Sequence, residues 1–372
     1  MNDLISRYRY SANYIPDYQE FKKRVLNKTI IPHQVEFQPG PTKGSICWLK
    51  CPYCYGGSAV DTGERLSRNR YIKLIEEMAM KGVKKIIFAG YCTDPLNYFY
   101  IEDLLNITIR WRMIFGFNTK AIQVSNLLLR YLSYKTIVPQ SYVNISVDAG
   151  NSDSYNKVHG TSSPKIYDWV LKNVSLIAAS RAKSGIHFDI SASYLVNKFN
   201  NGEQEIRKFV NDFKKAGCDL VRFTFPQLPR GKTMGELPTV PNREECIEYK
   251  EILLPLVDEL NSKDCSVIFV DADSDYDIYR KPRTLPCIAR WVYPTVGFDG
   301  WLYHCSQSSA PNFRKMALGN LETRNFWDLY YDYNPDKLAE YFYKTEMIMD
   351  EVHCRCDRKE HILNQALQDT LL

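Results

Sequence analysis

Three cysteines on one stretch of eight residues, Cys47-Trp48-Leu49-Lys50-Cys51-Pro52-Tyr53-Cys54, constrain this chain more than any other feature. Spacings of three and two intervening residues put three thiols on one short loop. A four-iron, four-sulfur cluster held by three thiolates keeps one iron without a protein ligand, where chemistry can happen. A cluster with four cysteine ligands mainly transfers electrons. The alternatives are a zinc site, a disulfide loop and chance spacing. Zinc favours two Cys-x-x-Cys knuckles, and no second pair stands nearby.

Composition narrows the setting. The 372 residues suffice for a barrel plus an appendage. Apolar residues at 45% and charged residues at 24% are the balance of an ordinary globular protein. No stretch approaches the roughly twenty apolar residues of a membrane span, and Met1-Asn2-Asp3-Leu4 lacks a signal-peptide core. A cytoplasmic protein is expected, so eleven cysteines point to metal or redox chemistry instead of a disulfide framework. The net charge of +5 is mild, and runs such as 81–85 and 208–215 read as solvated helix faces, which disfavours nucleic acid as a partner.

Along the chain, a polar segment over 1–32 carries a helical pattern at 18–26, and Val35-Glu36-Phe37 alternates as a strand before Pro39-Gly40-Pro41 ends it. After the cysteine loop, Ile72, Leu74, Ile75 and Met78 mark a helix closed by Gly82. Strands are then expected at 85–89, 121–124, 142–147, 186–196 and 220–225. Helices are expected at 101–114, 127–135, 167–182, 203–215 and 243–262. Six strands alternating with helices argue for an α/β fold, a parallel sheet closed or partly closed into a barrel over 33–280. The cysteine loop follows the first strand, and such barrels carry their chemistry at the carboxyl ends of the strands.

The Cys-x3-Cys-x2-Cys loop, with Tyr53 before its last cysteine, resembles the signature of the radical SAM superfamily, and the resemblance covers roughly residues 33–270. It implies a partial (β/α)6 TIM-like barrel and a [4Fe-4S] cluster on Cys47, Cys51 and Cys54. The open iron then chelates S-adenosylmethionine, whose reductive cleavage gives a 5′-deoxyadenosyl radical that takes a hydrogen from the substrate. It also implies a low-potential electron donor such as flavodoxin or ferredoxin. Tyr53 then lies near the adenine.

Strand ends supply the other expected cofactor contacts. Gly90-Tyr91-Cys92-Thr93-Asp94-Pro95 stands where relatives carry Gly-Gly-Glu-Pro; Gly90 and Pro95 fit, while Asp94 replaces the glutamate at a shifted position. A turn-capping role for Asp94 is the competing reading. Asn126 follows the expected third strand. Ser146-Val147-Asp148-Ala149-Gly150 is similar to the family's Ser-x-Asp-Gly strand end, and His159 occupies the place of a basic residue that pairs with the cofactor carboxylate. Ser193 comes from the fifth strand.

Beyond 280 the pattern changes to prolines, glycines and aromatics with four more cysteines, Cys287, Cys305, Cys354 and Cys356. Val296 to Tyr303 reads as a hairpin with Asp299-Gly300 at its turn. With Gly319-Asn320-Leu321 and the closing pair, residues 281–372 resemble the twitch domain, the short form of the SPASM extension. That resemblance implies a fully ligated auxiliary [4Fe-4S] cluster. The closing Cys354-Arg355-Cys356 is one residue tighter than the usual gap. Structural zinc and unligated core cysteines remain the other readings.

The chain therefore reads as a radical SAM enzyme that dehydrogenates or epimerises a small polar metabolite such as an amino sugar or antibiotic precursor. Cys92, the spare cysteine placed at the active-site end, is the candidate hydrogen donor for epimerisation. Modification of a ribosomally made peptide is the second reading, weakened by the short segment before the first strand. A non-catalytic metal protein is the third.

Overall fold

The computed structural model describes residues 17–40, 47–91, 93–226, 237, 239–270, 287–338, 340, 360 and 363–364. After α1 (Tyr18–Leu26), seven strands run parallel in sequence order, each hydrogen-bonded to the next. They are β1 (Val35–Phe37), β2 (Lys85–Phe88), β3 (Ile114–Thr119), β4 (Tyr142–Ser146), β5 (Asp189–Leu195), β6 (Leu220–Thr224) and β7 (Ser266–Phe269). The crossovers carry α2 (Arg68–Lys81), α3 (Ile101–Arg110), α4 (Asn126–Tyr131), α5 (Ser152–His159), α6 (Ile166–Ser184), α7 (Glu203–Lys215) and α8 (Arg243–Leu260). After the short α9 (Ala289–Val292), β8 (Thr295–Val296) pairs in parallel with the other side of β1. Then β9 (Trp301–Tyr303) and β10 (Gly319–Asn320) extend the sheet antiparallel, before α10 (Phe326–Tyr330). Among the described residues no ladder joins β7 to β10, so the barrel stays partial, as expected.

The strands alternate in a consistent sense. Their outward positions are apolar and buried under the helices: Ile86 and Phe88, Phe115 and Phe117, Val143 and Ile145, Ile190 and Ala192, Val221 and Phe223. At roughly 1.5–3 kcal/mol per buried large side chain, this outer layer is where the fold finds its cohesion. The inward positions are largely polar: Lys85, Asn118, Tyr142, Asn144, Ser146, Asp189, Ser193 and Arg222 line a central cavity. Helix α2 shows how the layer is set. Ser67 caps it by accepting from the Arg70 N–H, Tyr71, Leu74, Ile75 and Met78 face the sheet, and Gly82 ends it at φ +101°.

The third strand is a correction. It occupies Ile114–Thr119 instead of 121–124, and α3 stops at Arg110 instead of running to 114. No glycine or proline marks the end of α3; the chain turns instead through Arg112, at φ +52°. Phe115-Gly116-Phe117 then reads as a continuation of an apolar helix when it is a buried strand. At Gly116 a Cβ would lie 2.4 Å from the Tyr142 ring, so glycine is required there.

The C-terminal part joins the same sheet. The expected hairpin is present as β8–β9, with Gly300 at φ +80° and Asp299 accepting from the Tyr303 hydroxyl at 2.7 Å and the Trp301 N–H at 3.3 Å. Tyr331 and Tyr333 donate their hydroxyls to the Ile30 and Val25 carbonyls, each at 2.7 Å, which ties α1 to the segment after α10. The expected boundary at 280/281 lies outside the described residues. No described helix is long and apolar enough to cross a membrane.

Candidate active site

The cysteine loop lies over the carboxyl ends of the strands, against the C-terminus of α5. The Lys50 N–H donates to the His159 carbonyl at 2.9 Å, and a Cβ at Gly160 would come within 2.9 Å of the Lys50 Cβ. The Cys54 N–H turns back to the Cys51 carbonyl at 3.1 Å. Tyr53 is buried between the cysteines and reaches inward, its hydroxyl donating to Asp148 Oδ2 at 3.0 Å.

All three thiols are pushed up by burial, Cys51 to about 12. Cys54 raises both Cys47 and Cys51, while the Lys120 ammonium opposes the rise at all three. The thiols thus share one electrostatic neighbourhood. Three thiols on one loop beside a cation offer the ligand set of a cluster that keeps one iron without a protein ligand.

Asp148 is the hub beneath the loop. Its backbone sits at φ +58° and its carboxylate is buried. Oδ2 accepts from the Tyr53 hydroxyl and from Lys120 Nζ, each at 3.0 Å, and Oδ1 accepts from the Leu195 N–H at 2.9 Å. Its carbonyl accepts from Asn200 Nδ2 at 2.7 Å. Burial works to raise this carboxyl, but Lys120, His159 and the Leu195 N–H outweigh it and hold the group below the usual carboxylate range. Burial likewise works against the charge on Lys120, and Asp148 overcomes it, holding the ammonium above its ordinary value.

Below this pair opens a cavity of about 510 Å³. Cys51, Cys54, Tyr53, Gly90, Ser146, Asp148 and Ser193 line its upper part, and Glu36, Gln38, Asn118, Asn144, Tyr142 and Arg222 continue the wall downward. A middle layer is hydrogen-bonded around the wall: Ser191 donates to Asn144 at 3.0 Å, and Asn144 to Asn118 at 3.3 Å. Just past β1, Gln38 donates to Glu36 at 2.8 Å and accepts from Ser309 at 2.7 Å.

Five expected cofactor contacts, Tyr53, Gly90, Ser146, Asp148 and Ser193, meet in this cavity. Gly90 is there because a Cβ would lie 1.7 Å from the Thr93 carbonyl. Three others do not line it. Asp94 is half-buried, accepting from the Leu96 N–H at 2.9 Å, the Lys120 N–H at 2.6 Å and the Thr119 hydroxyl at 2.7 Å; it caps a turn and ties β2 to β3. Burial outweighs these donors and raises its carboxyl. Asn126 begins α4 on the exposed side, because β3 ends five residues earlier than a strand at 121–124 requires. His159 is buried against Cys51 and Val147, aimed at the loop and not at the cavity. Lys120 was hidden by the same register error; alternation through Gly116 and Asn118 is the signal that finds it. Cys92, Cys354 and Cys356 lie outside the described residues. Cys287 and Cys305 come together, buried in one small cluster with Ala289 and Met316.

Residues 42–184 match the family model described as the radical SAM superfamily. No curated protein matches the chain in sequence. Streptococcus suis SuiB is similar in structure at a TM-score of 0.59 and 14% identity, over 87% of this chain and 72% of SuiB. SuiB bound to its precursor peptide SuiA gives 0.58 and 14%, over 87% and 70%. Native anSMEcpe with bound AdoMet gives 0.58 and 16%, over 84% of this chain and 82% of that one. At these identities the likeness is one of fold.

The Lys120–Asp148 pair carries a prediction. Lys120→Met leaves a buried carboxylate without its cation and costs the metal-free chain about 3 kcal/mol or more at pH 7. A carboxyl held low contributes stability above its ordinary range and loses it as the pH falls through its folded value. The gap to the wild type therefore narrows below about pH 4. Urea denaturation at both pH values measures it, and equal stability at pH 7 refutes the assignment.

Proposed function

We propose that this chain, whose residues 42–184 form a radical SAM domain, is an enzyme that abstracts a hydrogen atom from a polar substrate held beneath its cysteine loop. The observation that carries the reading is the placing of three coupled thiols at the mouth of a barrel whose inward wall is polar. A cluster with one unligated iron, together with bound S-adenosylmethionine, supplies the 5′-deoxyadenosyl radical. Cys47, Cys51 and Cys54 would hold that cluster. Gly90, Ser146 and Ser193 would offer backbone and hydroxyl groups to the polar parts of S-adenosylmethionine, and Tyr53 closes the wall on the loop side. A low-potential flavodoxin or ferredoxin would deliver the electron.

The auxiliary cluster is part of the same proposal. Cys287 and Cys305 share one buried cluster, and Asn364, eight residues after Cys356, accepts from the Ile288 N–H at 2.9 Å. Asn364 thus stands next to the residue after Cys287, which supports this reading. Anaerobic reconstitution should give close to eight irons per chain, and replacing Cys47, Cys51 and Cys54 together should leave about half of them and end S-adenosylmethionine cleavage. In otherwise loaded enzyme, Ser146→Ala should weaken S-adenosylmethionine binding. About four irons in the wild type, or zinc at the second site, removes the auxiliary cluster; cleavage surviving the triple replacement removes the whole reading.

For the substrate, a wall of carboxamides, hydroxyls and paired charges suits a small polar metabolite. The second reading, a peptide, is favoured by the likeness to a structure that contains one. Cleavage of S-adenosylmethionine should be stimulated by a low-mass, protease-resistant fraction of extract from the source cells. Stimulation destroyed by protease selects the peptide instead.

The outcome is proposed to be dehydrogenation or epimerisation, with Cys92 deciding. Its S–H bond is weaker than the C–H bond it would form, so a thiol at that position returns a hydrogen atom to the substrate carbon. Turnover in heavy water should then place one deuterium in the product, and Cys92→Ala should abolish it. An oxidised product with Cys92→Ala fully active leaves dehydrogenation.

A further inference from the structure

Six charged side chains line the cavity, and their heights in it divide them. Lys120 and Asp148 pair at the mouth, beneath the cysteine loop. Lys85 and Asp189 are the first residues of β2 and β5, at the far end; Lys85 lies over the Tyr142 ring, and Asp189 lies 3.6 Å from His187. Glu36 and Arg222 come from the middle of β1 and β6, and project from the inward side, so neither adds to the apolar layer that holds the sheet together. Arg222 ends a row of inward side chains: the register sets Ser146 beside Ser193 and Ser193 beside Arg222. Those serines are the expected contacts of S-adenosylmethionine, which puts the guanidinium next to the cofactor's place. On the side of β1, Glu36 is buried, and Oε1 accepts from Gln38 Nε2 at 2.8 Å. A carboxylate only accepts, so the Gln38 amide turns its nitrogen to Glu36 and its oxygen to the Ser309 hydroxyl, at 2.7 Å. In the turn just before Ser309, Gln307 also lines the cavity, and its Oε1 is buried with no hydrogen-bond partner among the described residues. A buried carbonyl oxygen left unmet calls for an explanation. Acceptors thus gather on one wall, and a strong donor stands on another.

We infer that the substrate is a small ampholyte, seated with an amine on Glu36 and Gln307 and an acidic group, carboxylate or phosphate, on Arg222. This deepens, and rests on, the reading above of a radical SAM enzyme acting on a small polar metabolite. An ammonium brings three N–H donors, which suit a carboxylate and a carboxamide oxygen on one wall. The planar guanidinium fork suits a carboxylate or a phosphate, each of which takes two parallel hydrogen bonds. Holding a substrate at two charged points fixes its rotation as well as its position, and so selects which hydrogen meets the radical. A neutral sugar, a simple amine or a simple acid matches one wall or neither, so the same arrangement discriminates between polar metabolites of similar size.

The probe is the low-mass, protease-treated extract fraction, read by the S-adenosylmethionine cleavage that it stimulates in loaded wild type. Acetylating its amines with acetic anhydride should cut the stimulation about tenfold or more. Passage over a strong anion exchanger at roughly pH 11, where amines are neutral and acids stay charged, should remove it. Phosphatase treatment separates the two acids: lost stimulation makes the group a phosphate, and retained stimulation makes it a carboxylate. Glu36→Gln and Arg222→Leu should each raise the amount of fraction needed for half-maximal stimulation about tenfold or more, and Arg222→Lys should recover part of the loss. Affinity for S-adenosylmethionine, measured without the fraction, should match the wild type in all three. The chemical treatments are read on the wild type, so they decide even where a variant does not fold. Stimulation that survives acetylation or the exchanger overturns the inference, as do variants with unchanged half-maximal amounts or with a loss confined to S-adenosylmethionine affinity. If no fraction stimulates the wild type, or protease destroys the stimulation, the metabolite reading fails instead, and the two failures are distinct.

Discussion

The buried carboxylate of Asp148 is the interaction on which the rest of the site depends. Four separate pieces of chain end on it: Tyr53 from the cysteine loop, Lys120 from the end of β3, the Leu195 N–H from the end of β5 and, at its carbonyl, Asn200 from the loop beyond. Removing a carboxylate from water is expensive, and only a full set of donors makes it tolerable. Here every donor is also a strand end or a loop that must be placed. The cost of burying one charge thus fixes the relative positions of four segments, and the left-handed backbone at Asp148 is kept because those donors hold it there.

A second constraint is the direction of the strand alternation. The sheet turns its apolar side outward to the helices and its polar side inward. Cohesion therefore comes from the helix layer, and the interior is left free to hold polar groups at little expense to the fold. The middle ring of Ser191, Asn144 and Asn118 satisfies much of its own hydrogen bonding along the wall, so the cavity does not need a ligand in order to stand open. Gly116 belongs to the same arrangement. It yields room to the Tyr142 ring, one of the larger side chains pointing inward.

Much of this was legible in the residues. The cysteine spacing, the β/α alternation, the Gly82 stop and the Asp299-Gly300 turn each report a local requirement, and local requirements are what a sequence states openly. The misplaced third strand has one cause. Where α3 passes into β3 there is no breaker, and Ile114-Phe115-Gly116-Phe117 fits an apolar helix as well as it fits a buried strand. From that slip follow both the misplaced Asn126 and the overlooked Lys120. Asp94 and His159 are a different case. Each stands close to its expected position, but which way a side chain faces depends on segments distant in sequence: Thr119 and Lys120 for Asp94, Cys51 for His159. Spacing alone does not carry that information.

These pieces bear on how the loop meets a metal. Burial holds all three thiols in their protonated form, so the loop is a poor anion site until cations arrive. Ligation must then release or relocate three protons while bringing negative charge into a place of low dielectric. Among the described residues Lys120 is a cation that lowers all three thiols, and its own position is fixed by Asp148. The same carboxylate that gathers the strand ends thereby sets the field around the cysteines. Tyr53 makes the link mechanical as well as electrostatic, since it stands between two of the cysteines and is held by the carboxylate beneath them. Loop geometry and loop charge are consequently not independent properties here; both are consequences of where one buried aspartate sits.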